Sequence, residues 1–136
     1  MILKGRTIYP GRASGKALVS KMGISFYGGV DPQTGIITEA GHDLQGQSIA
    51  GKVLVFPSGK GSTVGSYVLY RLQQNGHAPA AIINAECETI TAVGCIIAEI
   101  PCIDQMDLSR FQTGMALDLD AESAIITIIS PGTLNE

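Results

Sequence analysis

The stretch from Val53 through Thr63 constrains this chain more than any other part of it. Val53-Leu54-Val55-Phe56 is an apolar run of β-forming residues. Pro57-Ser58-Gly59-Lys60-Gly61-Ser62-Thr63 follows as a glycine-rich loop carrying a lysine and hydroxyls. A helix-period segment then leaves the loop, from Val64 to about Asn75. Val64, Val68 and Leu72 recur at every fourth position, and Leu69 widens the stripe. Ser62 or Thr63 is a suitable N-cap, because its side-chain oxygen can accept from an unpaired amide. Asn75-Gly76 supplies a left-handed stop.

Strand, glycine loop and helix start together make a place where backbone N–H groups can point at an anion. Gly59 and Gly61 leave the loop free to take φ > 0 and let a ligand approach the backbone. Lys60, Gly61 and Thr63 are therefore candidate substrate-binding residues beside Ser62. A tight strand-to-helix connection with an ordinary cap is the competing reading. The Walker A pattern is not met: Gly59-Lys60 is followed by Gly61, and Leu54 stands where the pattern's first glycine belongs.

A chain of 136 residues is expected to form one domain, residues 1–136, with a sizeable core. Apolar residues make up 45 %, which argues against disorder. Aromatics are scarce and tryptophan is absent, so the core is built from Ile, Val, Leu and Ala. Charged residues reach only 15 %, a composition that suits a chain partly covered by a partner. Net charge is −3 with no basic cluster, which speaks against nucleic acid as a ligand. Neither a signal peptide nor a membrane-spanning run is visible, so the expected setting is cytoplasmic. Cys87, Cys95 and Cys102 lie in apolar surroundings with no zinc or iron–sulfur spacing. They read as buried free thiols, and no metal site is expected in this chain alone.

Taken in order, Met1 to Tyr9 reads as a first strand and Gly11-Arg12-Ala13-Ser14-Gly15 as a second small-residue loop, followed by a strand from Lys16 to Ser20. Arg12 is either a surface charge or an anion ligand brought beside the later glycine loop. Ile24-Ser25-Phe26 is a β-type piece, and Gly28 to Gly35 carries dense turn chemistry. His42 reads as a capping or hydrogen-bonding group. Ala80 to Asn84 is a buried strand, and its succession after strand and helix favours parallel pairing. Glu86 and Glu88 precede a weakly helical piece, Thr89 to Ala98, as dipole partners. Ile100 to Ile103, with Pro101, reads as an edge or strand start. Met115 to Asp120 and Ala124 to Ile129 are the last strands, and Ser130 to Glu136 reads as a frayed tail. The sum is a compact mixed α/β layer domain.

Phe56-Pro57-Ser58-Gly59-Lys60-Gly61-Ser62-Thr63-Val64-Gly65-Ser66-Tyr67 resembles the signature of the small subunit of aconitase X-type dehydratases. The resemblance extends to Gly5-Arg6, to Gly11 with Gly15, to Ala17-Leu18-Val19, to the Gly28–Gly35 loop and to His42. It implies a swivelling β/β/α domain like that of aconitases, paired with a large subunit that carries an iron–sulfur cluster. It implies a hydro-lyase acting on a small molecule. Archaeal two-subunit members dehydrate (R)-5-phosphomevalonate to trans-anhydromevalonate 5-phosphate in a modified mevalonate route, and bacterial relatives dehydrate cis-3-hydroxy-L-proline. The resemblance also carries Ser62 over as the proton acceptor. Two other classes stand beside it. A phosphohistidine carrier shares the fold type, but Gly28-Gly29 holds no histidine within its loop. A non-catalytic subunit would use Gly59–Thr63 only to bind a phosphate or carboxylate.

Overall fold

The structure is a computed structural model and describes residues 1–130. Eight strands form one ordered array, β1-β8-β7-β3-β4-β5-β6-β2. The strands are β1 (Ile2–Lys4), β2 (Arg6–Tyr9), β3 (Arg12–Val19), β4 (Val53–Phe56), β5 (Ala81–Asn84), β6 (Cys102–Asp104), β7 (Ala116–Asp120) and β8 (Ile125–Ser130). Two helices of ten residues each, α1 (Gly65–Gln74) and α2 (Thr89–Ala98), follow β4 and β5.

β3 is the strand that makes layers out of this array. Its first part, Arg12–Lys16, pairs antiparallel with β7, and Ala17–Val19 pairs parallel with β4. One sheet is therefore antiparallel (β1-β8-β7-β3), and the other has a parallel centre (β3-β4-β5-β6) with β2 antiparallel at its edge. Side chains of β4 alternate between two cores. Val53 and Val55 pack with Leu117, Leu119 and Ile126 of the antiparallel sheet. Leu54 and Phe56 pack with Val68, Leu69, Leu72 and Cys95 of the helices. The layers are thus β/β/α, as the resemblance implied. A strand covered on both faces has no polar side, which is why Val53–Phe56 reads as one unbroken apolar run.

Three details differ from the sequence reading. Met1–Tyr9 is two strands broken at Gly5, where an added Cβ would collide with the Asp104 carbonyl. Residues 11–15 are not a loop: β3 starts at Arg12, because β7 offers Asp120 through Ala116 as antiparallel partners. Its small residues serve close packing, with an added Cβ on Gly15 only 3.1 Å from the Gly51 carbonyl. β6 is interior, between β5 and β2, so Pro101 marks a strand start and not an edge. The frayed tail expected for Ser130–Glu136 lies outside the described residues except for Ser130, which ends β8.

Candidate active site

The glycine loop leaves the carboxyl end of β4 and is gripped on both edges of its stem. On one edge Ile24 bridges to Gly59: the Ile24 N–H donates to the Ser58 carbonyl at 3.3 Å, and the Lys60 N–H donates to the Ile24 carbonyl at 3.0 Å. On the other, the Gly59 N–H donates to Glu88 Oε1 at 3.2 Å. Gly59 has no room for a side chain, since a Cβ there would run into Glu88 Oε1 and Thr91 Oγ1. Gly61 takes φ +89°, the left-handed region expected of it, and an added Cβ would lie 2.5 Å from Ser25 Oγ.

Ser62 and Thr63 form the exposed tip. The Val64 N–H donates to Ser62 Oγ at 3.2 Å, and the Gly65 N–H donates to the Ser62 carbonyl at 3.0 Å. Ser62 therefore serves the turn leading into α1, not the helix itself. The cap position of α1 is Val64, already helical at φ −60°, and no side chain caps it. Thr63 offers only its carbonyl, which accepts from Ser66 at 3.2 Å. Of the two expected caps, one is thus displaced by a turn and the other is not engaged. Among the described residues the N–H groups of Gly61, Ser62 and Thr63 make no hydrogen bond. Three consecutive unpaired donors thus stand in exposed residues, beside the Ser62 hydroxyl.

Lys60 reaches across to Glu39, with Nζ 3.0 Å from Oε2. This pair stands in a cavity of about 410 Å³ lined by Ser25, Gly28, Gly29, Glu39, Lys60 and Gly61. The turn at Gly28 and Gly29 is thereby brought against the glycine loop at Lys60 and Gly61. His42 is buried, 5 % exposed, and its backbone N–H donates to the Glu39 carbonyl at 3.2 Å. Its Nδ1 accepts the Leu44 N–H at 3.0 Å, so Nε2 carries the proton and donates to the Gly23 carbonyl, also at 3.0 Å. Asp43 beside it is pushed up by burial. Hydrogen bonds from the Ser20 hydroxyl and the Lys21 N–H outweigh this and leave its carboxyl below the ordinary value. His42 and Asp43 therefore brace the segment around residues 20–24 that carries Ile24.

Arg12 is not part of this group. It lies seven residues before Val19, about 23 Å away along β3, while the loop lies at the Val19 end, where the Ser20 N–H bonds Val55. Arg12 Nη2 instead pairs with Asp120 Oδ2 at 3.1 Å across the antiparallel sheet. Nothing in the sequence fixes which end of a strand a neighbouring residue occupies, so this required the topology.

The three thiols do not offer a cluster site. The neighbouring Cys102 thiol and burial push Cys87 up. Cys87 in turn lowers Cys102, but Cys95 and burial outweigh it and hold Cys102 well above the ordinary value. Metal ligation needs thiolates, and among the described residues no group of three His, Cys, Asp or Glu side chains is placed to hold a metal ion. Sequence reasoning missed two contacts, Glu39 on Lys60 and Glu88 on Gly59. The acid before a helix signals a cap, but it gives no sign that the same carboxylate reaches a loop 29 residues earlier.

Residues 2–128 match the family model described as the aconitase X swivel domain. The chain is similar to the phosphomevalonate dehydratase small subunit of Thermococcus kodakarensis, 56 % identical over 132 residues, with 97 % of this chain and 99 % of the relative covered. The subunit of the same name from Thermococcus onnurineus is 55 % identical over 128 residues, covering 94 % of this chain and 98 % of its own. The crystal structure of Thermococcus kodakaraensis aconitase X in its holo-form matches with a TM-score of 0.94 at 55 % identity, over 96 % of this chain and 99 % of that one.

Proposed function

We propose, since the chain belongs to the aconitase X swivel-domain family, that it is the small subunit of a phosphomevalonate dehydratase. The reaction removes water from (R)-5-phosphomevalonate and yields trans-anhydromevalonate 5-phosphate. The relatives share this name at 56 % and 55 % identity, which favours that substrate over cis-3-hydroxy-L-proline. The enzyme is proposed to be cytoplasmic, as three free thiols suggest. No helix among the described residues is long and apolar enough to cross a membrane.

Dehydration takes a proton from the carbon next to the substrate carboxylate and releases the neighbouring hydroxyl. An iron–sulfur cluster on the large subunit supplies the Lewis acid for that hydroxyl. Among the described residues of this chain no group of side chains is placed to hold such a cluster, so its own part is the proton. Ser62 takes it. A serine oxygen is a useful base only where its anion is stabilised. The observation that carries the reading is the Val64 N–H on Ser62 Oγ, 3.2 Å away at the start of α1. The helix dipole and the free donors of Gly61–Thr63 add to it, and they act more strongly in a site closed to water. Those same donors and Lys60 suit the substrate's carboxylate or phosphate. Arg12 is left out of this site. Tyr67, Val93 and Ile97 are exposed and line a groove with Thr63, an apolar strip that supports the large subunit covering this side.

The test is Ser62→Ala in the assembled two-subunit enzyme. Loss of a positioned base should lower kcat by roughly 10²–10⁴-fold. KM should change much less, because the hydroxyl acts mainly in the transition state. Near-normal kcat would remove Ser62 as the proton acceptor and leave the loop as an anion cradle.

A further inference from the structure

We propose that Glu88 is a positioning residue for Ser62, its carboxylate clamping the stem of the glycine loop to the N-terminus of α2. The inference rests on the reading of Ser62 as proton acceptor. Glu88 is the N-cap of α2, with extended backbone at φ −89°, ψ 171°. Oε2 accepts from the Ile90 N–H at 2.7 Å. Oε1 accepts twice, from the Thr91 N–H at 3.0 Å and from the Gly59 N–H at 3.2 Å. An ordinary cap needs only the helix's own amides. The third donor belongs to the loop, and this separates a clamp from a cap.

The clamp is built to be stiff. The backbone before Glu88 is anchored independently. The Ala85 and Glu86 N–H groups donate to the Pro57 carbonyl at 3.1 and 3.2 Å, and the Cys87 N–H donates to Asp104 Oδ2 at 2.9 Å. Asp104 is fully buried and held by Arg6 through two hydrogen bonds, at 2.9 and 2.7 Å. Gly59 meets Glu88 at a distance no side chain would permit. With Ile24 on the opposite edge, the stem is fixed from both sides, and the Gly61–Thr63 tip lies beyond the grip with its three N–H groups unpaired among the described residues. Ser62 stands three residues past the gripped Gly59. A carboxylate this close to an anion-binding loop would repel substrate if bare, and three donated hydrogen bonds offset that charge.

Three variants of the assembled enzyme test this, each assayed with (R)-5-phosphomevalonate and followed by amide hydrogen exchange. Glu88→Ala should lower kcat by about 10²-fold, the scale of an ångström-sized misplacement, with KM little changed. The Gly59 amide should then exchange faster. Glu88→Gln keeps one carbonyl oxygen, enough to accept from Gly59 and Thr91, and loses only the Ile90 contact. It should recover most of the turnover while retaining the stability defect of a weakened cap. Asp107→Ala removes a cap of the same kind, one that bonds Ser109 in the short 3₁₀ turn at Leu108–Arg110 and reaches no amide of the glycine loop among the described residues, and should leave kcat alone. Unchanged Gly59 exchange in Glu88→Ala, wild-type kcat there, or a fall in kcat equalled by Asp107→Ala overturns the clamp. Should Glu88→Ala fail to assemble, Glu88→Gln decides: turnover that falls in step with its melting point overturns the clamp, and turnover that survives the drop upholds it. Normal turnover in Ser62→Ala sinks the proton-acceptor reading without altering the Gly59 exchange result.

Discussion

α1 and α2 have the same length, pack against each other and both begin beside the glycine loop, yet their N-termini are finished in opposite ways. At α2 a carboxylate consumes the first amides and faces the dipole with a charge of its own. An outside anion has little to gain there. At α1 no side chain caps the helix, and three successive donors ahead of it are free among the described residues. One hydroxyl, that of Ser62, sits within reach of the Val64 N–H. The contrast agrees with the proposed roles: the closed end holds the loop, and the open end is left for a ligand. Packing follows the same division, since Gly94 lets α2 approach Leu69 of α1 where a Cβ would collide.

Converting the open end into a closed one is the largest predicted effect. Ser62→Asp would place a carboxylate where the hydroxyl accepts from Val64, imitating Glu88. The amide-saturated carboxylate is a weak base, and its charge opposes an anionic substrate. Turnover should fall by roughly 10²–10⁴-fold or more, while stability rises by about 0.3–1 kcal/mol from the added dipole partner. Kinetics and melting curves of the complex check the pair of signs. A variant that keeps its turnover, or that melts earlier, breaks the comparison. Gly61→Val is next in size. A β-branched residue at φ +89° carries left-handed strain of roughly 1–2 kcal/mol. Its Cβ must also displace Ser25, so the serine one residue later shifts with it. A loss in kcat approaching 10²-fold is expected, and wild-type kinetics would show that the tip does not approach the substrate.

Much of this arrangement could be read from residues alone, for identifiable reasons. Val53–Phe56, the Val64–Leu72 stripe and the stop at Gly76 follow from periodicity and local dihedral preference, which are properties of neighbours in sequence. Gly61 was legible for the same reason, because a left-handed residue in a tight loop selects glycine. The long-range contacts were not. Arg12 looked available to the loop because its chemistry suits anions, and only the direction of β3 carries it to the far end. Lys60 read as a candidate substrate-binding residue, and nothing in the sequence signals that Glu39 lies against it across 21 residues. Glu88 read as a cap and is one, yet its second role depends on where β4 sits relative to β5. Residues 11–15 read as a loop because glycine and serine are weak strand formers, and pairing with β7 overrides that preference.

The smallest predicted effect separates the hydroxyls of the open end. Thr63 is adjacent to Ser62, exposed like it, and had an equal claim to the cap from sequence. In the structure its hydroxyl makes no hydrogen bond among the described residues, whereas Ser62 Oγ receives the Val64 N–H. Its backbone contributes in full, through the free N–H and the carbonyl that accepts from Ser66. Alanine keeps both. Thr63→Ala should therefore leave stability within about 0.5 kcal/mol, as for a surface position away from any special contact. It should also lower kcat far less than Ser62→Ala, with any cost appearing in KM if the hydroxyl contacts the substrate's charged group. Steady-state kinetics of both alanine variants in the assembled enzyme, with melting curves alongside, make the check. Equal losses of kcat would mean that the tip acts through its backbone geometry and that neither hydroxyl is the base. A large loss confined to Ser62 would tie the chemistry to the one oxygen that an amide of the open helix end already holds.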